Sequence, residues 1–163
     1  MIGHTSPEIY QSFPRGMGLS GLEAILSGLW GVFCRRQESP EQRKRAMELF
    51  DFFRKDFGDL TPETPFGRFP ANQQALLLFL RAVVARPRLL VLDEPAQGMD
   101  EAIWDRCREL LETEWKEMPE QAVVVVSHYE DEVSAVRRDR RTDYRYHGAS
   151  LKDSFSNYRT GLS

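Results

Sequence analysis

Cysteine is scarce in this chain: Cys34 and Cys107 are the only two in 163 residues, far apart and at no metal-binding or redox spacing. That excludes a disulfide scaffold and leaves both expected as free thiols in a reducing compartment. A dominant charge is missing as well. The 22 basic residues are offset by 25 acidic ones, for a formal net charge of −3, so nothing pulls the chain as a whole toward nucleic acid, and no nucleic-acid partner is expected. Long hydrophobic runs are absent too. Leu19–Phe33 is broken by Glu23 and glycines, and Ala75–Ala85 by Arg81; both fall short of the roughly 20 residues that span a bilayer. The opening Met1-Ile-Gly-His-Thr-Ser-Pro has neither the basic nor the apolar region of a secretory signal. An intracellular location, cytoplasmic or mitochondrial, is expected for a soluble or peripheral protein.

What is present is ordinary globular composition. Hydrophobic residues make up 41% of the chain and charged ones 29%, which excludes wholesale disorder, and the length suits one domain with a real core. Residues 1–17, with Pro7, Pro14 and Gly16, read as extended loop. Apolar residues from Leu19 to Phe33 recur at helical spacing and predict a helix over 19–34. Ser39-Pro40-Glu41-Gln42 has the form of a helix start, with serine at the N-cap, proline at N1 and glutamine at N3. That helix should bury Ala46, Met47, Leu49, Phe50 and Phe53 and end near Phe57-Gly58.

The second half changes character. Pro70 should open a helix whose Ala75–Ala85 segment is apolar on nearly every side, and is therefore buried. Leu89-Leu-Val-Leu92 and Ala122-Val-Val-Val-Val126 read as strands covered on both faces, joined through a helix over 101–117 into a right-handed parallel unit. A further helix over 129–137, a strand over Thr142–His147 and a loosely attached tail should follow. The tryptophans Trp30, Trp104 and Trp115 sit on helical apolar faces and are expected in the core.

Both strands end in polar residues, Asp93-Glu94 and Ser127-His128. Ligands of an open parallel sheet bind beyond the carboxyl ends of its strands, so Asp93, Glu94 and His128 should meet in one crevice. A lone aspartate there is often only a cap or turn residue. Adjacent carboxylates with a histidine on the next strand are what a Mg²⁺–phosphate site needs: a hard oxygen ligand and a group able to orient or deprotonate water.

These residues carry a family resemblance. Leu89-Leu-Val-Leu-Asp-Glu-Pro-Ala-Gln-Gly-Met-Asp100 resembles the Walker B strand, catalytic glutamate and D-loop of an ABC-type ATPase, and Val124-Val-Val-Ser-His128 resembles that family's histidine switch. Gln73, Arg81-Ala82 and Pro87-Arg-Leu-Leu90 fall at the spacing of the signature helix. Ile2-Gly-His-Thr-Ser-Pro-Glu8 is similar to the strand entering the Q-loop. The Gln-Gly D-loop most resembles soluble tandem-cassette ATPases related to molybdate-transport and photorepair ATP-binding proteins.

The resemblance implies an α/β, P-loop NTPase-like parallel-sheet core, incomplete, with a helical subdomain. It implies ATP and Mg²⁺ as cofactors and a second ATP-binding cassette, in tandem or as a dimer, as partner. Asp93 would hold Mg²⁺ through water, Glu94 would activate the hydrolytic water, and His128 would contact the γ-phosphate. Glu8, Asn72, Gln73 and Asp100 would be nucleotide contacts, Asp100 and the start of the signature helix acting across the dimer interface. The helical subdomain and signature helix would occupy about 15–86, half of the catalytic core 87–148, and a tail 149–163.

Two departures stand out. The signature, Leu-Ser-Gly-Gly-Gln in the family, is here Phe69-Pro70-Ala71-Asn72-Gln73, without the serine hydroxyl and with a proline that lacks an N–H. The phosphate-binding pattern Gly-x-x-x-x-Gly-Lys-Ser/Thr does not occur: no glycine precedes a lysine. The chain begins at about the Q-loop, so that loop is expected from upstream sequence or a partner, and the isolated chain is expected to be inactive. The alternative is a catalytically inactive binding or regulatory module on the same scaffold. A chromosome-maintenance or repair head would continue into long heptad coils, which are lacking. The basic clusters Arg35-Arg36 with Arg43-Lys44-Arg45, and Arg137-Arg138 with Arg140-Arg141, read as solvated faces.

Overall fold

A computed structural model describes residues 2–128. The expectations for 129–137, 142–147, the Arg137–Arg141 cluster and the tail lie outside the described residues. Three short segments pair into a sheet: β1 (Ile2–Thr5), β2 (Leu89–Asp93) and β3 (Ala122–Val126), in that order and parallel throughout. Thr5 pairs with Leu92 and Leu92 with Val125, so the carboxyl ends of all three strands lie along one edge. Parallel neighbours require crossovers, and six helices supply them: α1 (Pro7–Ser12), α2 (Gly21–Leu26), α3 (Pro40–Phe52), α4 (Arg54–Phe57), α5 (Ala71–Val83) and α6 (Glu101–Glu117).

The caps explain where the helices begin. Ser39 and Gln42 close a reciprocal capping box with Pro40 in the first turn of α3, and Ser20 and Glu23 close another on α2. At the centre lies α5, with every residue from Gln74 to Val83 buried, as its apolar run predicts. Glycines let it approach its neighbours closely. A Cβ on Gly3 of β1 would lie 2.2 Å from the Ala82 carbonyl oxygen, and one on Gly28 only 1.9 Å from that of Arg81. Phenylalanines fill the space around α3 and α4, with Phe50 stacked on Phe57 at 4.2 Å and Phe57 edge-on to Phe69 at 5.7 Å. Trp104 is buried, whereas Trp30 and Trp115 are partly buried against the core.

Charged groups tie the helix layer to α6. The buried carboxylate of Glu114 lies 2.8 Å from Arg45 of α3 and 3.1 Å from Arg86. Arg106 of α6 pairs with Asp56 of α4 at 2.9 Å.

Several expectations need correction. Residues 1–17 are not an extended loop: they hold β1, α1 and a 3-10 turn at Arg15–Met17. The helix over 19–34 stops at Leu26, becomes a 3-10 turn at Ser27–Leu29, and is followed by Gly31 at φ 70°, because glycines fall where further turns would have to form. The helix toward Phe57 breaks at Phe53 into α3 and α4. Only one sheet face is covered among the described residues. Leu90 and Leu92 are fully buried, but on the other face Ile2 is 64% exposed, Val124 46% and Val126 47%. Strand order advances in one direction, so right-handed crossovers put α5 and α6 on the same side.

Candidate functional site

The site forms where the strands end. β2 finishes at Asp93, and the next residue, Glu94, has φ 48°. A left-handed backbone costs a residue other than glycine about 1–3 kcal/mol and persists only where surroundings enforce it. Here the Glu94 N–H donates to the Val126 carbonyl of β3 at 2.7 Å, and the Glu94 carbonyl accepts from the Gln97 N–H at 2.9 Å. Gly98 completes the turn at φ 83°. This turn buries the Glu94 side chain to 16% exposure and places Oε1 3.4 Å from His128 Nε2. That separation permits charge attraction, yet Oε1 is buried without a hydrogen-bond donor. His128 is open to solvent at 78%.

The structure therefore brings Asp93, Glu94 and His128 together, as their strand positions predict. It separates them from a second group at the starts of α5 and α6. Asn72 Nδ2 donates to Asp100 Oδ2 at 3.3 Å, while Asp100 Oδ1 accepts the Ile103 N–H at 2.9 Å and so caps α6. Gln73 Nε2 donates to the Asp56 carbonyl at 2.7 Å. Asn72, Gln73 and Asp100 are thus held within the chain.

Glu8 lies exposed on α1, outside the lining of the cleft. A backbone hydrogen bond in the first turn, with help from the Ser6 hydroxyl, holds its carboxyl below the usual range. The residues of this segment that do line the cleft beside Asp93, Glu94 and Gln97 are Thr5, Ser6, Pro7 and Tyr10, of which Ser6 and Tyr10 bring side-chain hydroxyls from α1 and its cap. Sequence reasoning missed both. The signal was available: Ser6-Pro7 has the form of a helix N-cap followed by proline in the first turn, and Ser6 accepts the Ile9 N–H at 3.3 Å.

The donor set suits a hydrated divalent cation. Asp93 makes no ion pair with a described residue, and the cleft lining holds carboxylates and hydroxyls but neither lysine nor arginine. No group of three or more metal-ligating side chains occurs among the described residues, so a cation there would keep most of its water, as Mg²⁺ characteristically does. For the phosphates of a nucleotide the described residues offer no cradle.

An uncharacterized ABC transporter ATP-binding protein of Schizosaccharomyces pombe is 39% identical over 136 residues, covering 82% of this chain and 26% of that protein. The ABC transporter ATP-binding protein ModF of Escherichia coli is 30% identical over 131 residues, covering 80% of this chain and 26% of ModF. The chain belongs with the ABC-type ATP-binding proteins. It spans about a quarter of the length of the curated relatives it matches. The fold agrees. The dimeric bacterial ABC transporter cassette MJ0796 superposes with a TM-score of 0.57 at 24% identity, over 72% of this chain and 49% of that one. The described residues thus have the P-loop NTPase fold of an ABC cassette, in part. No protein-family model matches the chain. Within this ABC fold, Asp93 and Glu94 end the central strand of the described sheet and His128 follows its neighbour. No described helix is long and apolar enough to cross a membrane.

Proposed function

We propose that the chain supplies the cation-holding and water-activating side of an ATP-hydrolysing site in an ABC-type ATPase. The observation that carries this is the Glu94 carboxylate: held in a left-handed turn, buried, without a hydrogen-bond donor, and one residue beyond Asp93 at the end of β2. Such a group is ready to take a proton from water. Asp93 would hold Mg²⁺ through water, and exposed His128 would donate to the γ-phosphate. When bound, Mg²⁺–ATP supplies the electrophilic phosphoryl group. Glu94 orients the attacking water and accepts its proton, and the Val126 hydrogen bond keeps that carboxylate fixed relative to β3.

In this reading 15–86 form the helical subdomain and signature helix, 87–148 half of the catalytic core, and 149–163 a tail. A Gly-x-x-x-x-Gly-Lys-Ser/Thr loop outside the 163 residues grips the phosphates. A second cassette completes the site, meeting the start of α5 and Asp100, and the protein works in the cytoplasm or a mitochondrion.

The test is Mg²⁺-dependent ATP turnover in a cassette completed with such a loop. Glu94→Gln should lower turnover by about 10²-fold or more; unchanged turnover would remove Glu94 as the base. A second reading, a binding or regulatory module without catalysis, draws on the internal engagement of Asn72 and Gln73. It requires the completed cassette to bind Mg²⁺–ATP by calorimetry with no turnover above the Glu94→Gln background.

A further inference from the structure

We propose that Arg106 is a positioning residue: acting through Asp56 on Gln73, it sets the start of α5 that a second cassette meets. The inference rests on the reading in which α5 offers its first turn to that cassette, and it names what holds the turn in place. α3 and α4 meet at Phe53, whose backbone leaves the helix at φ −102° and ψ 19°. A helix end strands carbonyls that a continuous helix would satisfy. The Asp56 N–H, four residues beyond Phe52, goes to the Phe53 carbonyl at 2.9 Å. Arg106 of α6 serves this corner. Its Nη2 donates to the Phe52 carbonyl, and its Nη1 lies 2.9 Å from Asp56 Oδ2. Its guanidinium carbon lies 5.4 Å from the ring centroid of Phe52 and 5.3 Å from that of Phe53. A planar cation with a fork of donors can pair, donate and stack at once; a lysine ammonium cannot.

The corner in turn reaches α5. The Asp56 carbonyl accepts from Gln73 Nε2 at 2.7 Å, and Gln73 lies in the first turn of α5. Its neighbour Asn72 accepts the Gln73 N–H at Oδ1, 2.9 Å away, and donates from Nδ2 to Asp100 Oδ2 at 3.3 Å. Asp100 is the cap of α6. So α6 grips the first turn of α5 twice: directly from its cap through Asn72, and from Arg106 through α4. The Asn72 contact is exposed, whereas the side chains of Arg106 and Asp56 are 29% and 14% exposed. Water screens the first more than the second, so the Arg106 arm carries the positioning. Pro70 sharpens the need. It has no N–H and gives α5 no side-chain cap, so contacts from outside the helix locate its first turn.

The experiment has two arms. In the nuclear magnetic resonance spectrum of the isotope-labelled full chain, Arg106→Gln should shift the Gln73 side-chain amide and the Asn72 and Gln73 backbone amides, and leave the Val126 amide in place. Arg106→Lys, which keeps a cation beside Asp56, should fall between wild type and Arg106→Gln. The second arm uses the loop-completed cassette carrying Glu94→Gln, so that Mg²⁺–ATP persists during sedimentation. There Arg106→Gln should weaken the pairing of two copies by about ten-fold, the scale of one misplaced hydrogen bond. Glu114→Gln, about 12 Å further along α6 by helical rise, loosens the same layers at Arg45 and is the control. It should cost stability yet change pairing less than about two-fold. Gln73 resonances unmoved by Arg106→Gln, or pairing weakened no more than by Glu114→Gln, would overturn the proposal. Wild-type copies that never pair would refute the second-cassette reading alone, and the resonance arm would still decide whether Arg106 holds Gln73.

Discussion

Replacing Glu114 should reveal how firmly the helix layer is attached to the sheet layer. Its carboxylate, 8% exposed, faces Arg45 at 19% exposure and Arg86 at 42%. Arg45 also has a buried Nε with no hydrogen-bond partner, so losing Glu114 leaves a mostly buried cation with nothing to balance it. Removing one partner of a fully buried pair costs about 3–5 kcal/mol, whereas an exposed pair contributes about 0–1 kcal/mol. The Arg45 contact lies near the first limit and the Arg86 contact near the second. Glu114→Ala should therefore cost about 3 kcal/mol, and Glu114→Gln, which keeps the shape and one acceptor, about 1–2 kcal/mol. With a urea m-value of about 2 kcal/mol/M, the midpoint should fall by about 1.5 M for the alanine variant. Lys44→Ala, which removes a pair 79% and 56% exposed, is the control and should leave the midpoint nearly unchanged. A Glu114→Ala midpoint as close to wild type as the control's would refute the argument, since it would mean that water screens the pair.

Two further outcomes follow from the packing. Gly28→Ala should destabilise the chain by about 1–3 kcal/mol or more, read as a loss in thermal midpoint, because its Cβ would fall 1.9 Å from the Arg81 carbonyl oxygen; Gly16→Ala, with open space around it, should not. Burial raises the Cys107 thiol well above its ordinary value, with neighbouring Asp56 pushing the same way. The folded state therefore keeps its proton at pH values where the unfolded thiol ionises. This contribution to stability is whole below the unfolded value and is lost progressively as pH rises from there toward the raised folded value. A thiol reagent should accordingly label half-buried Cys34 in native protein and Cys107 only on unfolding; rapid native labelling of Cys107 would contradict its placement.

Legibility from sequence followed the strength of each local signal. The α3 start was readable because Ser39, Pro40 and Gln42 each specify the same cap, α5, β2 and β3 because their apolar runs are long or uninterrupted, and α6 because Ile103, Trp104, Leu110, Leu111 and Trp115 recur at helical spacing. The 19–34 segment misled because apolar spacing alone is blind to Gly28 and Gly31, whose backbones take up a close approach and a left-handed turn. The exposed face of β2 and β3 was hidden for a different reason: a continuous valine or leucine run reads as doubly buried, while which face is covered depends on strand order. At the site, Asp93, Glu94 and His128 were legible because strand ends converge. Ser6 and Tyr10 were not, because two prolines and two glycines over the first 17 residues outweighed a four-residue strand. The left-handed Glu94, and the inward commitment of Gln73 to the Asp56 carbonyl, depend on contacts that sequence spacing does not encode.

The account rests on a cation site at the end of β2. Its most direct test is paramagnetic broadening by Mn²⁺, a Mg²⁺ substitute, in the nuclear magnetic resonance spectrum of the isotope-labelled full chain. Broadening should centre on Asp93, Glu94 and the neighbouring Ser6 amide at the lowest Mn²⁺ additions, and Asp93→Asn should abolish it. Broadening spread over the surface acids, or centred elsewhere and indifferent to Asp93→Asn, would contradict the claim.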